Sequence, residues 1–219
     1  MKFPGNNSSP TSSRPDNPQQ DIGLHEDITA LPSQSGDASY PINKLAAHQR
    51  NIPHQAISIF VFHQDRLLLQ QRALTKYHSG GLWANTVCSH PRWQESPPDC
   101  AQRRLQEELG WQTVLHPCGE IRYEAQVGEL FENEHVYCFF GHLQQPTADT
   151  VADFLNPLEV AAVRWATLDE TVNDIQRQPE IYSPWFRIYM HQHRTMLDRI
   201  LAADYQLAEI EQYSGSART

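Results

Sequence analysis

Two hydrophobic rhythms follow one another along the middle of this chain, and the change between them marks out its elements. Gln55–Phe62 is an almost unbroken apolar run rich in β-branched and aromatic residues, and Arg66–Gln71 repeats that character after His63-Gln64-Asp65. Short apolar runs bounded by polar turn residues predict two strands joined by a tight hairpin. The spacing then changes to four, with Ala101, Leu105 and Leu109 in step. Ser96-Pro97-Pro98-Asp99 stands before them and Gly110 after, which predicts a capped helix with proline in its first turn. Ile121–Val127 and Glu134–Leu143 read as a further strand pair, Val160–Trp165 as another strand, and Leu168–Arg177 as a helix. From Pro184 onward, Trp185, Ile188, Tyr189, Met196, Leu197, Ile200 and Leu201 keep helical spacing to about Tyr213. Hairpins alternate irregularly with helices and no repeat recurs. The expected fold class is α+β, a mixed or antiparallel sheet flanked by helices in a single domain.

Composition changes that picture mainly at the ends. Residues 1–36 scatter Pro4, Pro10, Pro15, Pro18 and Pro32 among Ser, Asn, Gln and Asp. Such a stretch has too little apolar surface to offset its ordering entropy, so it is expected to be a disordered extension. Residues 37–213 form the expected domain and 214–219 a flexible C-terminal tail. A chain of 219 residues with net charge −9 lacks the basic face that nucleic-acid binding needs. No apolar run reaches the roughly 18 residues of a membrane span, and Met1–Asn7 lacks the apolar core of a secretory signal. The four cysteines are far apart with no C-x-x-C, which points to a reducing, cytoplasmic setting.

Candidate chemistry gathers in three places. Ser89, Glu95, Arg103, Arg104, Leu105, Glu107, Glu108 and Gly110 have the spacing of a Nudix box, a loop–helix–loop that collects carboxylates around diphosphate-bound magnesium. Ser89 stands where that pattern has glycine, and Arg104 where it has glutamate. Arg104 and Glu108 lie four apart and share a helix face. Alone such a pair is more often a surface ion pair; the longer match favours a guanidinium that clamps phosphate beside a carboxylate that holds its cation. Glu132 and Glu134 sit two apart, so on a strand both point to one side and either repel or recruit a cation. With His48, His54 and His90 they make a nitrogen/oxygen set suited to zinc, manganese or iron rather than calcium. The remaining histidines, among them His78, His116, His191 and His193, read as structural or surface residues. Cys88 lies in a Trp/Asn/Ser/His loop leading to the helix, where neighbouring cations would lower its pKa and make it a base or nucleophile. Cys100, Cys118 and Cys138 read as inert small hydrophobes.

These residues together resemble the type 1 isopentenyl-diphosphate isomerases of the Nudix superfamily. The likeness rests on Lys44-Leu-Ala-Ala-His48, His54, Arg72-Ala-Leu-Thr-Lys76, Trp83-Ala-Asn85-Thr-Val-Cys88-Ser-His90-Pro91, the Arg104–Glu108 helix, Arg122-Tyr123, Glu132-Asn133-Glu134 and Ser183-Pro184-Trp185. It implies a Nudix-like fold and interconversion of isopentenyl and dimethylallyl diphosphate through a tertiary carbocation, in isoprenoid biosynthesis. Cys88 and Glu134 would then exchange protons on opposite faces of the alkene, Glu134 hydrogen-bonded to Tyr123, with the Trp185 ring against the cation. His48, His54, His90, Glu132 and Glu134 would hold a zinc or manganese ion. Glu108, with the Cys88 carbonyl, would hold magnesium on the diphosphate, which Lys44, Arg72, Lys76 and Arg104 would contact. The resemblance calls for a small isoprenoid diphosphate and for no nucleic acid, membrane or obligate protein partner. Two other readings compete: a Nudix hydrolase, which needs a more glutamate-rich box, and a metal-stabilised binding module, whose closed site would favour cysteine ligands.

Overall fold

The computed structural model describes residues 26–32, 38–143 and 151–202. Strand β3 (His54–His63) is the spine of the sheet, paired with four other strands. It turns through Gln64-Asp65, with Gln64 at φ 53°, into antiparallel β4 (Arg66–Arg72), as the hairpin pattern predicts. β3 also pairs antiparallel with β1 (Asp27–Ala30) and β6 (Val87–Ser89), and parallel with β8 (Leu130–His142). Outside these lie β2 (Tyr40–Asn43) on β1, β5 (Trp83–Ala84) and β9 (Val160–Thr167) on β4, and β7 (His116–Val127) on β8. The result is one mixed sheet.

The alternation of β3 divides the core into two layers. Ala56, Phe60 and Phe62 face one side, where helix α4 (Pro184–Gln192) packs Trp185, Phe186, Tyr189 and Met190. Ile57, Ile59 and Val61 face the other, against Ala101, Leu105 and Leu109 of α2 (Pro97–Leu109). Leu105 is fully buried there, and its truncation to alanine belongs in the range of about 2–5 kcal/mol. α2 has the predicted bounds. Ser96 Oγ accepts from Asp99 N, and Gly110 ends the helix at φ 74°. A Cβ on Gly110 would also stand 2.4 Å from the Phe154 carbonyl oxygen, so glycine is required twice over. α3 (Leu168–Arg177) starts on a capping box between Thr167 and Glu170. The short α1 (Lys44–Gln49) is capped by Asn43.

Three expectations need correction. The extension expected to be disordered to residue 36 contains β1, whose Ile28, Thr29 and Ala30 are buried; pairing with β2 and β3 gives this short segment what its composition lacks. Residues 1–25, 33–37, 144–150 and 203–219, with the expected helix and domain to residue 213 and the tail 214–219, lie outside the described residues. The long C-terminal helix is interrupted at His193 and resumes at Arg194, helical as far as the described residues reach at 202. Both strands of the second pair start earlier than their apolar stretches: β8 at Leu130, which brings Glu132 into the strand with Glu134, and β7 at His116, whose first residues pair with residues 137–140. Among the described residues no helix is long and apolar enough to cross a membrane.

Candidate active site

α1, the N-terminal end of β3 and the loop after β6 bring three imidazoles together. The ring centroids of His48, His54 and His90 lie 4.8, 5.1 and 5.0 Å apart. His48 Nδ1 bonds the Lys44 carbonyl and His54 Nδ1 the Ile52 carbonyl, each at 2.7 Å. A carbonyl only accepts, so both Nδ1 atoms carry the proton and both Nε2 atoms present a lone pair. Those lone pairs face carboxylates. His48 Nε2 stands 3.6 Å from Glu132 Oε2, His54 Nε2 3.7 Å and His90 Nε2 2.9 Å from Glu134 Oε1. His54 and Glu134 are register partners across the parallel β3–β8 ladder, so the backbone itself sets this meeting.

His48 Nε2, His54 Nε2 and Glu132 Oε1 are buried and make no hydrogen bond. Orphaned buried acceptors are costly and call for a partner. One ligand atom each from His48, His54, His90 and Glu134 falls within 4.8 Å of all the others, and a second such group joins His48, His78 and Glu132. This donor set fits a divalent cation of the nitrogen/oxygen class. His78 was read from the sequence as structural, yet its Nε2 stands 3.3 Å from Glu132 Oε1. Only its position two residues after Lys76 hinted at this. Burial holds the imidazoles of His78 and His90 well below the usual histidine range, which keeps their lone pairs open. Burial acts the same way on His48, but the Glu132 carboxylate 3.6 Å away outweighs it and raises the pKa.

Beside this cluster stand a thiol and a carboxylate. Cys88 Sγ donates to Asn85 Oδ1 at 2.9 Å and meets Ser58 Oγ at 3.2 Å. The sequence context suggested a lowered thiol pKa; the structure reverses that. Burial pushes Cys88 up to about 12, against the smaller effect of its Ser58 hydrogen bond, so the resting group is a neutral thiol. Cys100, Cys118 and Cys138 are likewise pushed up by burial, in line with their reading as inert. Burial also works against the Glu134 carboxylate, but the neighbouring His54 imidazole, Glu132 and the Tyr123 hydroxyl prevail and hold it at about 2. Tyr123 donates to Glu134 Oε2, and its own ionisation is pushed well up by burial and that neighbour.

One cavity is lined by Cys88, Glu134, Tyr123 and Trp185 together with Lys44, Arg72, Lys76 and Arg104. Burial, with Lys76, Arg104 and Arg72 adding repulsion, depresses Lys44 to about 8. Four cations crowded in this way favour an incoming anion. Trp185 is 3 % exposed and its ring lies 5.3 Å beneath the Arg72 guanidinium. Glu108, also at this cavity, accepts from Gln70 Nε2 (3.0 Å) and Arg104 (2.7 Å), so it is tied to a cation of the lining and belongs to neither histidine group. Glu159 escaped the sequence reading altogether. It is 5 % exposed and lies 2.6 Å from Lys76 Nζ and 3.2 Å from an Arg104 nitrogen. A lone glutamate at the head of an apolar strand offered no sign of either partner.

Residues 52–187 match the NUDIX domain model. The isopentenyl-diphosphate Delta-isomerase of Dinoroseobacter shibae is 48% identical over 166 residues, which cover 74% of this chain and 92% of that one. The enzyme of the same name from Ruegeria pomeroyi is 42% identical over 166 residues, 74% of this chain and 89% of its own. The chain belongs to the type 1 isopentenyl-diphosphate isomerase family. Solved structures support the fold of this isomerase family member at larger distance. DR0079 from Deinococcus radiodurans superimposes with TM-score 0.55 at 12% identity, over 69% of this chain and 90% of that one. A MutT protein from Methanosarcina mazei does so with TM-score 0.51 at 16% identity, over 64% and 91%. The isomerase motifs from Lys44 to Trp185 thus sit on a Nudix sheet, and their lining residues meet at one cavity.

Proposed function

We propose that this cavity carries out the isomerisation for which the family is named, with Cys88 and Glu134 as its proton-transfer groups. The chain is an isomerase of isopentenyl and dimethylallyl diphosphate in isoprenoid biosynthesis. The observation that supports the site assignment most is the shared lining: a thiol, a Tyr123-bonded carboxylate and four cations on one cavity. The diphosphate binds Lys44, Arg72, Lys76 and Arg104, which fixes the five-carbon unit between the two proton-transfer groups. One group adds a proton to C4 while the other removes one from C2, and their roles exchange in the reverse direction. Forward through the thiol, the S–H bond breaks as C4–H forms, and C2–H breaks as a Glu134 O–H forms. Positive charge develops at C3 between these steps, and the Trp185 face stabilises it without offering a nucleophile.

Magnesium on the diphosphate, held by Glu108 and the Cys88 carbonyl, and zinc or manganese at His48, His54, His90, Glu132 and Glu134 would supply charge neutralisation and fix the carboxylates. The domain is proposed to include β1, with no obligate protein partner. All four cysteines are free, which favours a cytoplasmic location. The test is incubation with isopentenyl diphosphate and magnesium, with dimethylallyl diphosphate read by its acid lability. Formation of the allylic product without phosphate release is expected; phosphate release without it would instead mark a Nudix hydrolase.

A further inference from the structure

β3 carries a hydroxyl where its pattern asks for a hydrocarbon. Ser58 is completely buried and shares its face with Ala56 and Phe60, both of the apolar core. Alanine would satisfy the packing there, and a hydroxyl in such a place costs stability unless it is fully bonded. Ser58 is bonded twice. It is the register partner of Cys88 in the β3–β6 ladder, with its Oγ 3.2 Å from the sulfur, and its Oγ also meets the Tyr189 hydroxyl at 2.9 Å. Tyr189 is 1 % exposed and comes from α4, whose ring packs edge-on against Phe60 and Tyr123.

The direction of this chain follows from its far end. Asn85 Nδ2 donates to the Ile59 and Val87 carbonyls at 3.0 and 3.1 Å, which holds Oδ1 toward the sulfur. That oxygen only accepts, so the thiol proton points to it. Ser58 must then donate to sulfur, and its oxygen accepts from Tyr189. The donors run one way: Tyr189 to Ser58, Ser58 to Cys88, Cys88 to Asn85.

We infer that Ser58 and Tyr189 are positioning residues for the isomerisation, supplying a preset hydrogen bond to the Cys88 sulfur whenever it has given up its proton. In either direction of the reaction the sulfur passes once between S–H and S⁻. When the S–H bond breaks and C–H forms, the electron pair stays on sulfur, and Asn85 Oδ1 then faces it as a repulsive dipole. The Ser58 O–H is the donor already aimed at that charge, and the Tyr189 O–H behind it strengthens it by polarisation. No group has to reorganise.

The inference rests on the reading that Cys88 moves a proton, and steady-state kinetics with isopentenyl diphosphate separate the two. Ser58→Ala is expected to lower kcat about 10- to 100-fold, as loss of a hydrogen bond to a charged group does, with KM within about twofold of the parent. Tyr189→Phe, which keeps the ring and its packing, is expected to lower kcat about 3- to 10-fold by removing the polarising hydroxyl. The double variant should be no slower than Ser58→Ala alone, because the two act in series. Melting temperatures recorded beside the kinetics isolate any loss of packing. A purely structural pair would lower the melting temperature and leave kcat at the parent value, which overturns the inference. If Ser58→Ala does not fold, unchanged kcat in Tyr189→Phe overturns it equally. Full turnover by Cys88→Ala would instead remove the reading beneath it.

Discussion

Tyr123 and Glu134 face each other across the β7–β8 pair, and the tyrosine hydroxyl donates to Glu134 Oε2 at 2.7 Å. This bond occupies one carboxylate oxygen, while Oε1 is turned to His90 and His54. The carboxylate therefore cannot swing away from the cavity. Glu134→Gln is expected to lower kcat on the order of 10²–10⁴-fold, the range a positioned acid/base supplies. Tyr123→Phe keeps the ring and should fall well short of that loss. Equal losses in both variants would show that orientation, and not proton transfer, is what Glu134 contributes.

Cys88→Ala should abolish turnover while the protein still melts cooperatively. Cys100→Ala removes a buried sulfur on the opposite side of the sheet and should leave kcat unchanged, at a modest cost in melting temperature. Turnover by Cys88→Ala close to that of the parent would exclude the thiol as a proton-transfer group.

The cations that line the cavity should affect binding before chemistry. Arg72→Ala is expected to raise KM and weaken inhibition by inorganic pyrophosphate, with kcat little changed, because ground and transition states share the diphosphate contact. Arg104→Ala should add a stability loss of about 3–5 kcal/mol, since it strips the buried carboxylates Glu108 and Glu159 of a counter-charge. The check is a pair of substrate-saturation curves beside denaturant melts.

Treatment with a chelator should remove activity and lower the melting temperature together, because a cation that binds the folded state stabilises it by mass action. His54→Ala should lower metal content measured by elemental analysis. A fully metal-loaded His54→Ala protein would place the cation elsewhere.

Glu95 offers a pH test away from the cavity. It is partly desolvated, which opposes ionisation, but two bonds from Arg103 at 2.6 and 2.7 Å and one from the Arg92 amide hold its carboxyl below the usual range. A depressed folded-state pKa adds stability above the unfolded value of about 4.3 and loses it as pH falls through the folded value. Glu95→Gln should thus cost about 1–3 kcal/mol at pH 7, with the difference between the two proteins shrinking below about pH 4. Denaturant melts of both proteins from pH 7 to pH 3.5 read this directly; a constant gap would contradict it.

What the sequence disclosed depended on how local the signal was. α2 was readable to the residue because Ser96 and Gly110 are punctuation that acts within one turn. The β3–β4 hairpin and the apolar face of α4 were readable from periodicity. β1 was not, since a four-residue segment amid prolines gains its stability only from distant partners. The same limit applies in the site. Glu132 and Glu134 advertised themselves by alternation, but His78 meets Glu132 only after the sheet has folded. Cys88 is the instructive error: neighbouring cations suggested a thiolate, and burial, which no motif records, decides for the thiol.

β3 is hydrogen-bonded to four strands and bears His54 at one mark and Ser58, under the thiol, at another. At roughly 3.3 Å per residue those marks stand about 13 Å apart, a length fixed by covalent geometry. Side-chain substitution can change what stands at each mark, but not the interval between them. Only an insertion could, and it would unseat β1, β4, β6 and β8 together. The reaction's dimensions are in this sense inherited from the backbone, and variation among such enzymes is confined to the furnishing of a measured room.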